Sequence, residues 1–271
     1  MKELLKKLLP DKVVQNLSYL KNWNHNLYSI NTKINLNTNF SDFFVWNKDC
    51  TKIEFIGENL RALLMGKEIE VTHNFRFFSA EGKFIELQQF NSNSFFEKIK
   101  LEACNDQDKY YSFTHFVDSN TNLEEILFSI GVRNTNDLSE LNRGYTVYYP
   151  GPRNSSCIVH GNFGGISKDI NKRAITNFRK HIYTPVYKFQ KKEKYDLVFN
   201  NPTNKEIKVK LILNNSNKIY FLSIPSLGTR FQNISNYSGS ISYESRLSVC
   251  RALVFKNPAP NQSGTFDVFH S

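Results

Sequence analysis

Phe90-Asn91-Ser92-Asn93, Lys98-Ile99-Lys100-Leu101 and Lys109-Tyr110-Tyr111 are answered later in the chain by Phe199-Asn200-Asn201-Pro202, Lys208-Val209-Lys210-Leu211 and Lys218-Ile219-Tyr220. The order is kept, and the spacing agrees to within one residue. Each set reads as a strand, an Asn-rich turn, an alternating strand, a second Asn-rich turn and an aromatic strand. Two such antiparallel meanders can pack face to face or side by side. The pattern predicts a mainly β protein of two related antiparallel β-sandwich units in tandem, an internal duplication.

Outward from that repeat, Phe43-Phe44-Val45-Trp46, Ile53-Glu54-Phe55-Ile56, Phe75-Arg76-Phe77-Phe78 and Phe84-Ile85-Glu86-Leu87 are short runs rich in aromatic and β-branched residues. Such runs, punctuated by Asn, Gly and Asp, suit a sandwich or barrel. Glu81-Gly82 marks a hairpin turn. The sequence divides into an N-terminal amphipathic segment (1–30), a first unit (31–166) with a helical insert (119–143), a basic linker (167–186) and a second unit (187–271). Short helices are expected at Leu60 to Met65, ended by Gly66, and in the insert, where Thr121-Asn122-Leu123-Glu124 has the form of a capping box and Gly131 closes the run. A weaker helical turn is expected over Asp137 to Asn142. Tyr243 to Phe255 reads as one long strand, Asn257 to Asn261 as a turn, and Phe266 to His270 as a returning final strand.

Residues 2–22 read as an N-terminal helical segment, with Leu4, Leu5, Leu8, Leu9, Val13, Leu17 and Leu20 on one stripe, Lys2, Lys6, Lys7 and Lys12 opposite and a break at Pro10. A segment of this kind either docks on its own fold or makes peripheral contact with a membrane surface. The chain carries a formal charge of +10, which favours an anionic partner. The densest basic run is 167–194, either an anion-binding seam or a solvated linker with a lysine-guarded edge. No stretch approaches the roughly 18 apolar residues of a membrane span, and no signal-peptide core is evident. A cytoplasmic setting, with or without membrane attachment, is expected. Cys50, Cys104, Cys157 and Cys250 are far apart and lack zinc or redox spacing, so they read as reduced thiols. No cofactor and no metal is expected.

The candidate ligand site is the polar cluster from Tyr148 to Gly165. Pro and Gly there put Arg153, Asn154 and His160 at loop or strand ends; Arg offers a planar fork to carboxylate or phosphate, and tyrosine a ring to stack on a sugar. Tyr149 and Asn162 belong to the same cluster, and Glu244, Arg246 and Arg251 are the corresponding offer of the second unit. Neither a dinucleotide fingerprint nor a phosphate loop surrounds Gly161-Asn162-Phe163-Gly164-Gly165. The six histidines do not assemble a catalytic constellation in sequence. Nucleic acid is not expected, because the aromatics alternate within strands and are better explained as core. Association of copies through exposed sheet edges is allowed by the pattern.

Residues 187–271 resemble the β-sandwich of the sensory rhodopsin transducer family. The resemblance rests on Phe199-Asn200-Asn201-Pro202, a hydrophobic strand, Ile224-Pro225 leading to Arg230-Phe231, and Glu244-Ser245 opening an apolar strand. It implies ligand and partner binding rather than catalysis. The family's polar, His-containing end is replaced here by Arg251 and Phe255, so a shared ligand site does not follow. The first ten residues are similar to the start of bacterial proteins of surface-polysaccharide assembly, including glycosyltransferases. Together these readings give a non-catalytic module for an anionic or carbohydrate ligand, with a glycan- or nucleotide-sugar-modifying enzyme at the membrane face as the alternative.

Overall fold

β-Branched and aromatic residues dominate the strands, and in the computed structural model they build eighteen strands and two short helices over the described residues. These are 39–105, 107–131, 140–151, 156–167, 180–203, 205–216, 218–247, 251–258 and 265–271. The expected N-terminal helix, Arg153, Asn154 and residues 168–179 of the basic linker lie outside them.

The strands form four sheets. A six-stranded sheet takes β1 (Asn39–Asn47), β3 (Val71–Phe78), β4 (Phe84–Ser92), β6 (Tyr110–Asp118), β7 (Glu140–Asn142) and β10 (Asn162–Ser167), in the order β10-β1-β6-β3-β4 with β7 also on β1. Facing it are β2 (Lys52–Glu58), β5 (Phe96–Lys100), β8 (Gly144–Tyr149) and β9 (Cys157–His160), ordered β5-β2-β8-β9. A third sheet runs β11-β16-β13-β14, from β11 (His181–Tyr183), β13 (Ile207–Leu213), β14 (Lys218–Ile224) and β16 (Ile241–Ser245). The fourth runs β15-β12-β17-β18, from β12 (Tyr195–Asn200), β15 (Thr229–Ile234), β17 (Leu253–Lys256) and β18 (Asp267–His270). Pairing is antiparallel throughout except for β7, which runs parallel to β1.

Phe44, Phe55, Phe75, Phe77 and Phe113 fill the space between the first two sheets. Leu197, Phe199, Val209, Leu211, Tyr243 and Val254 fill the space between the last two. The β12 sheet serves both: Leu197 and Phe199 point into the second core, while Val198, Leu253, Phe255 and Val268 join the first. This explains why all six residues of β12 are buried, as expected of a sheet covered on both faces.

Polar contacts reinforce the join. Tyr110 Oη donates to Asp196 Oδ2 at 2.7 Å, and Lys109 Nζ lies 2.9 Å from the same oxygen. The β3–β4 hairpin tip is clasped by the start of β15: Thr229 N and Arg230 Nη1 both donate to Ala80 O, and Arg230 Nη2 lies 2.6 Å from Glu81 Oε1. Gly82 sits at φ +77 in that tip, and an added Cβ there would lie 1.8 Å from Ser226 O. The turn therefore needs glycine both for its left-handed backbone and for this close approach.

Several expectations meet the structure directly. α1 (Leu60–Met65) ends at Gly66, and α2 (Leu123–Ser129) occupies the insert. Its N-cap is Asn122, not Thr121, because the Asn122 side chain accepts from Glu124 N. Where a helical turn is expected toward Asn142, Glu140–Asn142 instead adds as β7 to β1. The segment from Tyr243 to Phe255 is not one strand. β16 ends at Ser245, whose Oγ accepts from Leu247 N, and β17 resumes in a different sheet. β11, inside the span read as linker, pairs with β16.

The repeat is not carried into strand pairing. β13 and β14, the Lys208 and Lys218 elements, form a hairpin. Their first-half counterparts separate: β5 pairs β2, while β6 lies between β1 and β3 in the facing sheet. Similar strand-and-turn chemistry sets local structure, and nonlocal burial decides the partners.

Candidate ligand-binding site

Along β13, Ile207, Val209, Leu211 and Leu213 turn inward, so Lys208 and Lys210 stand on the outer face. The register places Ile182 beside Glu244, Glu244 beside Lys210, and Lys210 beside Phe221 in one row across β11, β16, β13 and β14. Phe221 is 77% exposed and Ile182 70%. Lys180, Lys205, Lys208, Lys210 and Arg246 line an open groove of about 550 Å³ on this face, with Phe221 at its side and Glu206 its lining carboxylate. Glu244 lies beside it, 3.6 Å from Lys210 Nζ. Five cationic side chains around a flat exposed ring can hold a carboxylate, sulfate or phosphate while the ring packs on an apolar sugar face. Glu244 and Arg246, singled out from the sequence, therefore meet here.

The other sequence candidates lie elsewhere. Tyr149 is on the outer face of β8, where its Oη donates to Glu54 Oε2 at 2.6 Å and accepts from Lys98 Nζ. Lys52 Nζ stands 4.9 Å from its ring centroid. Burial pulls the Glu54 carboxyl upward, but hydrogen bonds from Lys52, Lys98 and Tyr149 hold it down at about 2. Tyr149 is thus occupied in an ion-pair network.

His160, Asn162 and Arg251 meet at a third place, where β9 abuts β18. His160 stacks on His270 with centroids 4.3 Å apart, His270 Nε2 lies 2.9 Å from His160 O, and Asn162 Nδ2 donates to Arg251 O. Burial holds the His270 imidazole down at about 4, with Arg251 and His160 among the neighbouring charges. Asp42 is close by and almost fully buried; burial pushes its carboxyl up to about 6, against the pull of Arg143 and His160. Asn162 engages Arg251 through its backbone carbonyl, and the Arg251 charge lies near His270. Arg153 and Asn154 lie outside the described residues.

Sequence reading missed Lys205, Lys208, Lys210 and Phe221 as site residues. The signal was present in the alternation of β13, which aims two lysines one way and its aliphatic residues the other. It also missed Asp42, a lone acid before an aromatic run, with no sequence pattern to mark it. His73 and His115 are bonded to each other at 2.8 Å, with the His115 ring lying among Phe55 and Phe75.

No protein-family model matches the chain, and no curated protein matches it. Among solved structures, the chain is similar to the M60 catalytic domain with the CBM51-1 and CBM51-2 domains from Clostridium perfringens ZmpB. The identity is 8% and the TM-score 0.21, over 81% of this chain and 34% of that one, so the chain spans about a third of its length. A likeness of that strength defines neither detailed fold nor function.

Proposed function

We propose that the protein is a non-catalytic binding module for an anionic carbohydrate, built as two tandem sandwich units and presenting its ligand groove on the outer face of the β13 sheet. The observation that carries this reading is the convergence of Lys180, Lys205, Lys208, Lys210 and Arg246 beside the exposed ring of Phe221. Cations alone would bind any anion. An unshielded aromatic ring in register with Lys210 adds the flat apolar contact that a sugar face uses. The setting we propose is the cytoplasm near surface-polysaccharide precursors.

Titration of oligosaccharides bearing uronate or sulfate groups, read by calorimetry, tests this. Lys208→Ala with Arg246→Ala is expected to weaken binding at least tenfold, and Phe221→Ala to weaken it without changing its salt dependence. Binding that survives both variants would remove the groove from consideration.

A second reading, a glycan- or nucleotide-sugar-modifying enzyme, draws on Asp42. A buried carboxyl pushed up to about 6 beside Arg143 is the type of group that serves as a general acid. Product analysis with bound oligosaccharides separates the two. Unchanged ligand supports recognition, whereas turnover abolished by Asp42→Asn supports the enzyme.

A further inference from the structure

β14 ends the third sheet. It pairs with β13 from Lys218 opposite Leu213 to Ile224 opposite Ile207 without a break in register, and no described strand lies on its other side. A strand in that position presents unpaired N–H and C=O groups to any chain that can lie alongside. The other strands that end a sheet are guarded. β10 is bulged against β1, and β9, β11 and β18 are short; β4, β5 and β15 carry Glu86, Lys98 and Arg230 within their length. β14, Lys218-Ile219-Tyr220-Phe221-Leu222-Ser223-Ile224, has no charge after its first residue, no proline and no bulge. Ile219 and Phe221 stand open on its outer face, and Tyr220 and Leu222 on its inner face are only partly buried against the second core.

A second copy of this chain fits such an edge in one geometry. Two copies of one strand paired antiparallel are related by a twofold axis perpendicular to the sheet, so outer residues must lie opposite outer residues and inner opposite inner. Centred on Phe221, the pairing meets that condition and uses the whole strand: Phe221 faces the second copy's Phe221, Tyr220 faces Leu222, Ile219 faces Ser223 and Lys218 faces Ile224. Centring on Tyr220 or Leu222 keeps the faces matched but leaves the ends of each strand unpaired. In the full pairing the two Lys218 stand at opposite ends, about 20 Å apart along the strands, so no like charges meet. An aromatic pair, one of the favourable cross-strand combinations, sits on the axis.

We propose that the protein self-associates through β14, joining the third sheets of two copies into one continuous sheet with the paired Phe221 rings at its centre. Each copy then adds a ring beside the other's groove. The row Glu244, Lys210, Phe221 runs on into the second copy's Phe221, Lys210 and Glu244. The two Lys210 lie three strand spacings, about 14 Å, apart. A chain of acidic sugars long enough to reach both grooves is held twice. That consequence rests on the carbohydrate reading of the groove; the assembly itself does not.

The test uses the full-length chain without ligand, its mass followed by sedimentation across the micromolar range. A concentration-dependent dimer is expected. Ile219→Lys with Ser223→Lys sets like charges opposite each other at two symmetric positions and is expected to weaken the dimer by about tenfold or more. Ile219→Lys with Ser223→Glu sets opposite charges at the same positions and is expected to restore it. Both side chains are exposed, and urea unfolding checks that each variant is folded. A wild-type chain that stays monomeric overturns the proposal. So does a dimer equally strong in both variants, which places the contact on another surface, or one equally weakened in both, which denies this register. Titration with short and long uronate oligosaccharides separates the assembly from the ligand reading. A dimer that binds neither keeps the assembly and removes the carbohydrate groove. A preference for the long chain that is lost in the first variant supports the shared groove, and one that persists unchanged there overturns it.

Discussion

Replacing His73 by asparagine is expected to lower stability at neutral pH yet flatten its fall in acid. His73 and His115 are both fully shielded from solvent and share the bond between His73 Nδ1 and His115 Nε2. Their rings lie among Phe55 and Phe75. His73 Nε2 and His115 Nδ1 have no hydrogen-bond partner among the described residues. Burial holds His73 down at about 4 against the ordinary 6.5, with Glu97 pulling the other way. Burial and the neighbouring His73 hold His115 well below its ordinary value.

The unfolded chain takes a proton on each ring near pH 6.5, whereas the folded pair does not. The neutral pair therefore favours the fold fully above about pH 6.5, and that advantage is lost as pH falls toward 4. For His73 alone the shift from 6.5 to about 4 corresponds to roughly 3 kcal/mol. Asp42 works in the opposite direction. Its carboxyl, pushed up from 3.8 to about 6, costs stability at neutral pH that is recovered as pH falls through 6 toward 3.8. Wild-type acid sensitivity is thus a difference between opposed groups, so the informative quantity is the change between variants.

Asparagine places an amide near the position of Nδ1 that can still hydrogen-bond to His115, but it removes the titration and part of the ring. A deficit of about 1–2 kcal/mol at pH 7 is expected from the lost packing. Between pH 7 and 4 that deficit should shrink by about 2–3 kcal/mol and vanish or reverse. Urea unfolding followed by the fluorescence of Trp46, buried against Tyr111, measures it at each pH. Wild-type and variant stability curves that stay parallel from pH 7 to 4 would refute the reasoning.

Asn201→Ala should destabilise by about 2–4 kcal/mol in urea melts, because the Asn201 side chain bonds Lys205 O, Ile224 O, Pro225 O and the backbone and hydroxyl of Thr203 in a buried turn. Tyr110→Phe leaves the buried Asp196 short of one donor and should cost about 1–3 kcal/mol; an unchanged melting midpoint would show that Lys109 and Asn233 suffice for that carboxylate. Removal of residues 266–271 takes away Val268 and the Ser271 bonds to Tyr243 and Ala252, and is expected to prevent cooperative unfolding as seen by calorimetry. Glu244→Gln should tighten binding of an acidic oligosaccharide severalfold at low salt, since it releases Lys210 from its ion pair; weaker binding would mean that Glu244 itself contacts the ligand.

Local chemistry was readable in the chain. The helix from Leu60 to Gly66, the hairpin at Gly82 and the return of the last strand each follow from a cap, a glycine turn or a short apolar run, which act within a few residues. Partner choice was not readable, because it depends on what covers each face. Tyr243 to Phe255 is apolar enough for one strand, yet Ser245 turns the chain so that the two parts line opposite walls of the second core. Within the Asn-rich stretch Phe199 to Pro202, Asn201 ties β12's exit to the end of β14, partners more than twenty residues away that local pattern does not reveal. For the site, Arg246 and Glu244 were found from their residue types, whereas Tyr149 and His160 have side chains committed to neighbours that sequence order does not bring near.

The distribution of aromatic residues also argues for where a ligand can and cannot go. The first core is packed with edge-to-face and stacked rings from Phe44 through Phe113. Close-packed rings leave no room for a sugar, which excludes a binding cavity between those two sheets. β12 itself is covered on both sides and offers no face. Outward-facing positions remain, and they differ in kind. On β2 and β8 the charged and aromatic groups pair among themselves around Glu54, so a ligand would have to break three hydrogen bonds to reach them. On β13 the lysines outnumber their carboxylate neighbours and Phe221 is open to solvent. A polyanion gains there without displacing a satisfied network, which is the physical reason to place recognition on that face.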